Sequence, residues 1–306
     1  MKKILFALLF AMTSAWSSTS VIVIPNPPGG PPDVWGRVVA QHLTQTLNEE
    51  YIVSNRPGAD GRIAIDHVAM QPANGKTLIV ATTGSFLFSR VFYSKHQHDF
   101  NNFDLLVPVV RAPVVMAVSN NLNVSSWTEF LALARTRSLN CAGSSSSSVF
   151  VAKQIFDHVG VNNINFIPFR GSADMGIALS SGIIDCGFDT NYPAINFHSS
   201  GKYRIIAVGT NNRYQEVPNA TLFKDIVPGL TFYNWYGLGV LKGTPLEEQN
   251  KIFNAVKKLN QSTDYQDKMQ RAGLEIVANP QGTNWVQQEY TKFETLRQRL
   301  KIEKLD

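Results

Sequence analysis

Two loops gather residues suited to holding an anion. Pro25 to Asp33 reads P-N-P-P-G-G-P-P-D, and Ser144 to Ser148 are five consecutive serines. In the first loop, Gly29 and Gly30 let a guest approach the backbone closely, while the prolines stiffen the chain and pre-set the start of a helix. A helix start exposes N–H groups with no intrahelical acceptor and carries the positive end of the helix dipole, so its natural guest is an anion. The serine run joins hydroxyls to backbone N–H groups ahead of a second helix and suits an anionic head group in the same way. Singly, these stretches also fit a rigid turn without a guest and a polar loop with one helix cap. Paired, they could grip opposite ends of one small molecule.

Other chemistry is sparse. The chain has no G-x-S-x-G elbow, P-loop or H-E-x-x-H, and neither cysteine lies in a C-x-x-C pair. A nucleophile from Ser144 to Ser148, as in a secreted hydrolase, would need a base, yet His42, His67, His158 and His198 are scattered outside any partner motif. His96 and His98 alternate in a polar segment without cysteines or carboxylates at ligand spacing, so neither metal nor cofactor is expected. Asp185 and Asp189 flank a strand end and suit turn or cleft hydrogen bonding better than acid–base work. Arg170 reads as a solvated loop residue.

Both anion-suited loops fall between a strand and a helix, where open α/β sheets bind ligands. Val21 to Ile24 is a continuously apolar strand, followed by a helix with Val34, Trp35, Val38, Val39, Leu43 and Leu47 on one face. A strand at Tyr51 to Val53, a helix around Ile63 to Met70 and a strand at Thr77 to Thr82 complete a first set. The second begins after Ala112: Ser126 and Glu129 form a capping box, a strand spans Leu139 to Ala142, and a helix follows the serines through Val151, Ile155, Phe156 and Val159. Further strands are expected at Ile164 to Pro168, Ile183 to Phe188 and Arg204 to Gly209. The C-terminal third is helical, with Thr244, Pro245 and Glu247 as N-cap, first-turn proline and capping-box acid, and Trp285 to Leu300 in a long last helix. The order predicts an α/β chain with mainly parallel sheets in two lobes around a cleft.

The 306 residues suffice for two domains of ordinary size, and 44% apolar with 17% charged residues excludes global disorder. Lys2 and Lys3, the apolar run from Ile4 to Met12 and the small or polar Thr13 to Ser18 have the order of a secretory signal, with cleavage after Ala15 or Ser17. Without those two lysines, 26 basic residues face 23 acidic ones, and a balance of +3 is too weak to argue for nucleic acid. An exported chain meets an oxidising compartment, so Cys141 and Cys186 could form one bridge or remain two buried thiols.

Several segments together resemble the periplasmic solute receptors of tripartite tricarboxylate transporters, the Bug-type receptors. Pro25 to Asp33 matches P-F-x-P-G-G-x-x-D, Asn55 to Gly61 matches N-R-P-G-A-x-G, and Asn74 to Leu78 matches D-G-Y-T-L. Pro168 to Ser172 is similar to P-Y-K-G-S, Asp185 to Asp189 to V-D-M-M-F-D, and Gly243 to Pro245 to G-T-P. The resemblance implies a two-lobed, type II-like periplasmic binding protein that closes on a small carboxylate and delivers it to an integral-membrane permease. A ligand sensor signalling through a membrane partner is the other role such a receptor could fill. By position, the ligand-binding residues are Pro28, Gly29, Gly30, Pro31, Asp33, Thr82 and Thr83 in one lobe, with Ser144, Ser145, Ser146, Ser147, Asp189 and Thr190 in the other. The resemblance further implies residues 1–19 as signal, 20–115 and 236–306 as the first lobe, 116–235 as the second, hinges near 114–119 and 232–239, and a monomer. Asn26 and Pro32 depart from the family pattern, as do the five serines, so a smaller or more polar guest is expected.

Overall fold

A computed structural model describes residues 19–304 apart from residues 96, 170, 278–282 and 300, so the expected leader, His96 and Arg170 lie outside the described residues. In chain order the elements are β1 (Ser20–Ile24), α1 (Pro31–Leu47), β2 (Tyr51–Asn55), α2 (Arg62–Ala69), β3 (Thr77–Thr82), α3 (Ser89–Phe92), β4 (Phe103–Ser119), α4 (Trp127–Ala134), β5 (Leu139–Gly143), α5 (Ser146–His158) and β6 (Ile164–Pro168). They continue with α6 (Ser172–Ser180), β7 (Cys186–Thr190), α7 (Asn191–Ser199), β8 (Tyr203–Val208), β9 (Thr221–Leu222), α8 (Phe223–Ile226), β10 (Tyr233–Leu241), α9 (Leu246–Asn260), α10 (Thr263–Arg271), β11 (Glu275–Val277) and α11 (Thr283–Arg299).

The strands form one curled, mixed sheet with the order β2-β1-β3-β10-β4-β7-β5-β6. Each end is a parallel set, β2-β1-β3 and β7-β5-β6, as the βα alternation requires. Antiparallel pairing enters through the long strands that cross between the halves. β4 pairs β10 up to Pro113 and then β7 and β8 from Val114 onward. The return crossing lies beside it, where Val114 N–H donates to Phe232 O and Phe232 N–H donates to Gly209 O. Sequence periodicity does not reveal these crossings, because a strand that changes partners keeps its apolar pattern.

Helix α1 buries Trp35, Val39, Ala40 and Leu43 on the first half-sheet, and Trp35 Nε1 donates to Tyr265 Oη at 2.9 Å, tying it to α10. Cys141 and Cys186 stand opposite each other on β5 and β7 and form a disulfide, which settles the alternative left open by the sequence. The expected cap at α9 differs. Pro245 itself occupies the N-cap position, and the Thr244 hydroxyl instead donates to Leu241 O, closing the turn after β10. At α4, the Ser126 hydroxyl accepts from Glu129 N–H, while the Glu129 carboxylate reaches back to Ser125 N–H.

A set of aromatic rings joins the halves beneath the cleft. Phe88, just before α3, meets Phe150 of α5, Phe232 at the crossing and Phe293 of α11 with centroids 5.1–6.3 Å apart. Phe88 is fully buried, so its truncation leaves a cavity that both halves line. Phe88→Ala is expected to cost about 3–5 kcal/mol, read as a lowered urea midpoint with an unchanged slope. A loss under about 1 kcal/mol would show that the halves are held together elsewhere.

Candidate functional site

The carboxyl ends of the parallel strands from both half-sheets open onto one hollow of about 1760 Å³. Residues following β1, β2, β3, β5 and β6 all line it, together with Thr190 at the end of β7. This is where α/β sheets offer helix starts and loops to a ligand. Of the candidate residues, Pro28, Gly29, Gly30, Pro31, Thr82, Thr83, Ser144, Ser145, Ser146, Ser147 and Thr190 line the hollow. Asp33 and Asp189 are buried behind the lining.

Asp33 braces the first loop. Its carboxylate accepts from Gly29 N–H, Arg37 Nε and Asn55 Nδ2, each at 2.9 Å. Burial alone would push its pKa up, but those hydrogen bonds and the Arg37 charge hold it below the ordinary value. The same geometry thins out the donors that the loop can offer. Gly29 N–H is taken by Asp33, and Pro31 and Pro32 fill the first two helical positions without any N–H. Gly30 N–H is left without a protein acceptor among the described residues. Thr82 and Ser85 cap each other's backbone, and Thr83 Oγ1 accepts from Trp235 N–H at 2.8 Å, so both threonines also hold the wall together.

The segment Gly58-Ala59-Asp60-Gly61 has four consecutive positive φ angles, a left-handed turn that carries the Asp60 side chain to the hollow. Gly61 cannot be replaced there: a Cβ would lie 2.5 Å from Ser85 Cβ and 3.0 Å from Pro25 Cβ.

Opposite stands the serine turn. Ser145 is the N-cap of α5, its hydroxyl accepting from Ser148 N–H at 3.3 Å, and the N–H groups of Ser146 and Ser147 have no protein acceptor among the described residues. Gly143 lets this turn fold tightly over β5, since a Cβ there would meet Val149 N at 2.7 Å. The hydroxyls reach across the hollow: Ser147 donates to Asn234 Oδ1 at 2.8 Å, and Ser146 donates to the Asp60 carboxylate. A serine nucleophile needs a base, and no histidine lines the hollow among the described residues. Asp185, just before β7, ties to β5 instead, its carboxylate accepting from Asn140 N–H at 2.8 Å. Among the described residues, no cluster of three metal-ligating side chains occurs.

Asp189 Oδ1 accepts from the Ser172 hydroxyl and Thr190 N–H, both at 2.7 Å, while Oδ2 has no partner. Ser144 lies close enough to temper the charge without completing a hydrogen bond to Oδ2. Burial dominates and pushes the carboxyl up to about 6. The charge and burial together also raise the Tyr236 hydroxyl at the hollow's wall, burial being the larger cause.

Sequence reasoning left Asp60, Asn234, Tyr236 and Ser172 out of the site. For Asp60 a signal existed, because its loop follows β2 as the proline loop follows β1; for Asn234 none did, since β10 is a crossing strand.

Residues 35–302 match the family model described as the tripartite tricarboxylate transporter family receptor. The chain belongs to this family. Protein BugT of Bordetella pertussis is 27% identical over 73% of this chain and 70% of its own length, and a UPF0065 protein of Pseudomonas sp. strain P51 is 25% identical over 83% and 77%. A solved R. palustris structure with adipate is 25% identical, covers 95% of this chain and 100% of its own, and superposes with a TM-score of 0.86. Periplasmic binding protein BugD, 22% identical with a TM-score of 0.86, shares the fold, and in this chain the hollow lies between the two half-sheets.

The raised Asp189 pKa has a definite sign. The folded state keeps a proton that the unfolded chain loses near pH 4, so stability is full below that pH and falls as pH rises to about 6, by up to about 3 kcal/mol. Asp189→Asn removes this linkage and leaves the opposite contribution of Asp33 in place. The stability gap between variant and parent should therefore move in the variant's favour from pH 4 to pH 7 in urea melts. A flat gap would contradict a raised Asp189 pKa caused by burial.

Proposed function

We propose that this receptor is exported, captures a small organic carboxylate between its lobes and delivers it to a membrane permease. The observation that supports this most is the open start of α5. Unpaired N–H groups at Ser146 and Ser147, the hydroxyls beside them and the positive end of a 13-residue helix meet at the hollow that Gly30 also lines. The adipate bound in the R. palustris relative is a guest of this chemistry. The permease, the periplasmic location and the secretory leader rest on family membership and on the N-terminal sequence pattern. No helix among the described residues is long and apolar enough to cross a membrane.

In this account residues 20–115 and 236–306 form one lobe and 116–235 the other. The hinge lies where β4 exchanges partners after Pro113 and where the chain returns at Phe232, within 114–119 and 232–239. A guest that contacts both sides stabilises the closed form, and a single copy of the chain suffices. Pro28 to Pro31, Thr82, Thr83, Ser144 to Ser147 and Thr190 act at the surface of the hollow. Asp33 and Asp189 act from behind it.

Thermal melts of the purified protein against mono-, di- and tricarboxylates and acidic amino acids check this. A true guest at about 100 times its dissociation constant should add about 2.7 kcal/mol and raise the melting temperature accordingly. No shift across the panel for folded protein would contradict it.

A further inference from the structure

The charge on the walls of the hollow says more about the guest than its anion-binding donors do. Asp60 lines the hollow, and only hydroxyls address its carboxylate, those of Ser146 and Tyr93. No Arg, Lys or His among the described residues pairs with it. Lys153 and Lys301 also line the hollow, yet neither pairs with Asp60 or Asp189. A carboxylate withdrawn from water without a cation draws either a proton or a positively charged guest.

Asp189 provides a second, independent sign of the same imbalance. It is buried next to Ser144, and its Oδ2 completes no hydrogen bond, so no cation compensates it. The serine turn is thus flanked by two carboxyl groups, one from each half of the molecule. A guest carrying negative charge alone would bring a further anion between them. The family pattern N-R-P-G-A-x-G leaves the Asp60 position open, and in this chain the turn with four consecutive positive φ angles places the half-buried Asp60 on the wall of the hollow.

Resting on the receptor function proposed above, we infer that Asp60 receives a positively charged nitrogen of the guest, so that the preferred ligand class is small α-amino acids rather than plain carboxylates. One residue links the two poles. Ser146 offers its N–H to an anion and its hydroxyl to Asp60, which places the anion and cation sites side by side. An α-amino acid has a carboxylate and an ammonium group on one carbon. Its carboxylate sits on the N–H groups at the start of α5, and its ammonium group donates to Asp60.

Calorimetry on the exported chain with matched pairs tests this: 2-aminoadipate against adipate, glutamate against glutarate, aspartate against succinate, and norleucine against hexanoate. The amino member of at least one pair should bind about tenfold tighter or better, and Asp60→Asn should level that pair. Equal or tighter binding of the deaminated acid in every pair would overturn the ammonium site while leaving the carboxylate receptor standing. An amino preference that survives in folded Asp60→Asn would overturn the role of Asp60. If no member of any pair binds, the receptor function fails and this inference fails with it. The comparison of pairs on the unmutated chain needs no variant, so it stands even if Asp60→Asn does not fold.

Discussion

The structure depends on one constraint: the first N–H groups of α5 must be left open. Buried polar backbone groups are ordinarily satisfied within the fold, and an exposed helix start is ordinarily capped or hydrated. Here Ser145 satisfies Ser148 and leaves Ser146 and Ser147 facing the hollow. Gly143 beneath the turn has no side chain to lift it, and Phe150 one turn along α5 is locked among the rings that join both halves. The donors are therefore held in place by packing rather than by a ligand. This lets binding energy go into closing the lobes instead of ordering a loop.

The two sides of the hollow solve the same problem differently. On the serine side, helix N–H groups and hydroxyls are plentiful. On the proline side, Pro31 and Pro32 remove donors and Asp33 takes Gly29 N–H, so rigidity replaces hydrogen-bonding capacity. Asp60 then adds negative charge on that side, and Ser146 spans the gap to it. At Ser146 the open N–H groups of the second half therefore meet the Asp60 carboxylate of the first, and the local field has two poles. A guest with both charges fits such a field in one orientation, whereas a symmetric guest does not distinguish its ends.

Much of this was legible in the sequence. The strands β1, β3 and β6 are apparent as β-branched runs, and the loops that follow parallel strands carry their own signatures in P-P-G-G-P-P and in five serines. What was hidden depends on register and on long-range pairing. The disulfide required knowing that Cys141 and Cys186 fall opposite each other on neighbouring strands. The thinning of donors at Pro31 and Pro32 follows from which residue begins α1, and Asp33 could be read as a ligand contact until its carboxylate was seen holding Gly29. Asn234 and Tyr236 lie on a strand that returns from the other half, so no local pattern marks them as part of the site.

The account's central claim is that the guest's carboxylate takes the N–H groups of Ser146 and Ser147. Amide hydrogen exchange resolved to single residues, with and without a carboxylate that raises the melting temperature, measures this most directly. Exchange at Ser146 and Ser147 should slow more than at the remaining backbone of α5, because a ligand oxygen then occupies both donors. Protection confined to other surfaces, with these two amides exchanging as fast as in the free protein, would contradict it.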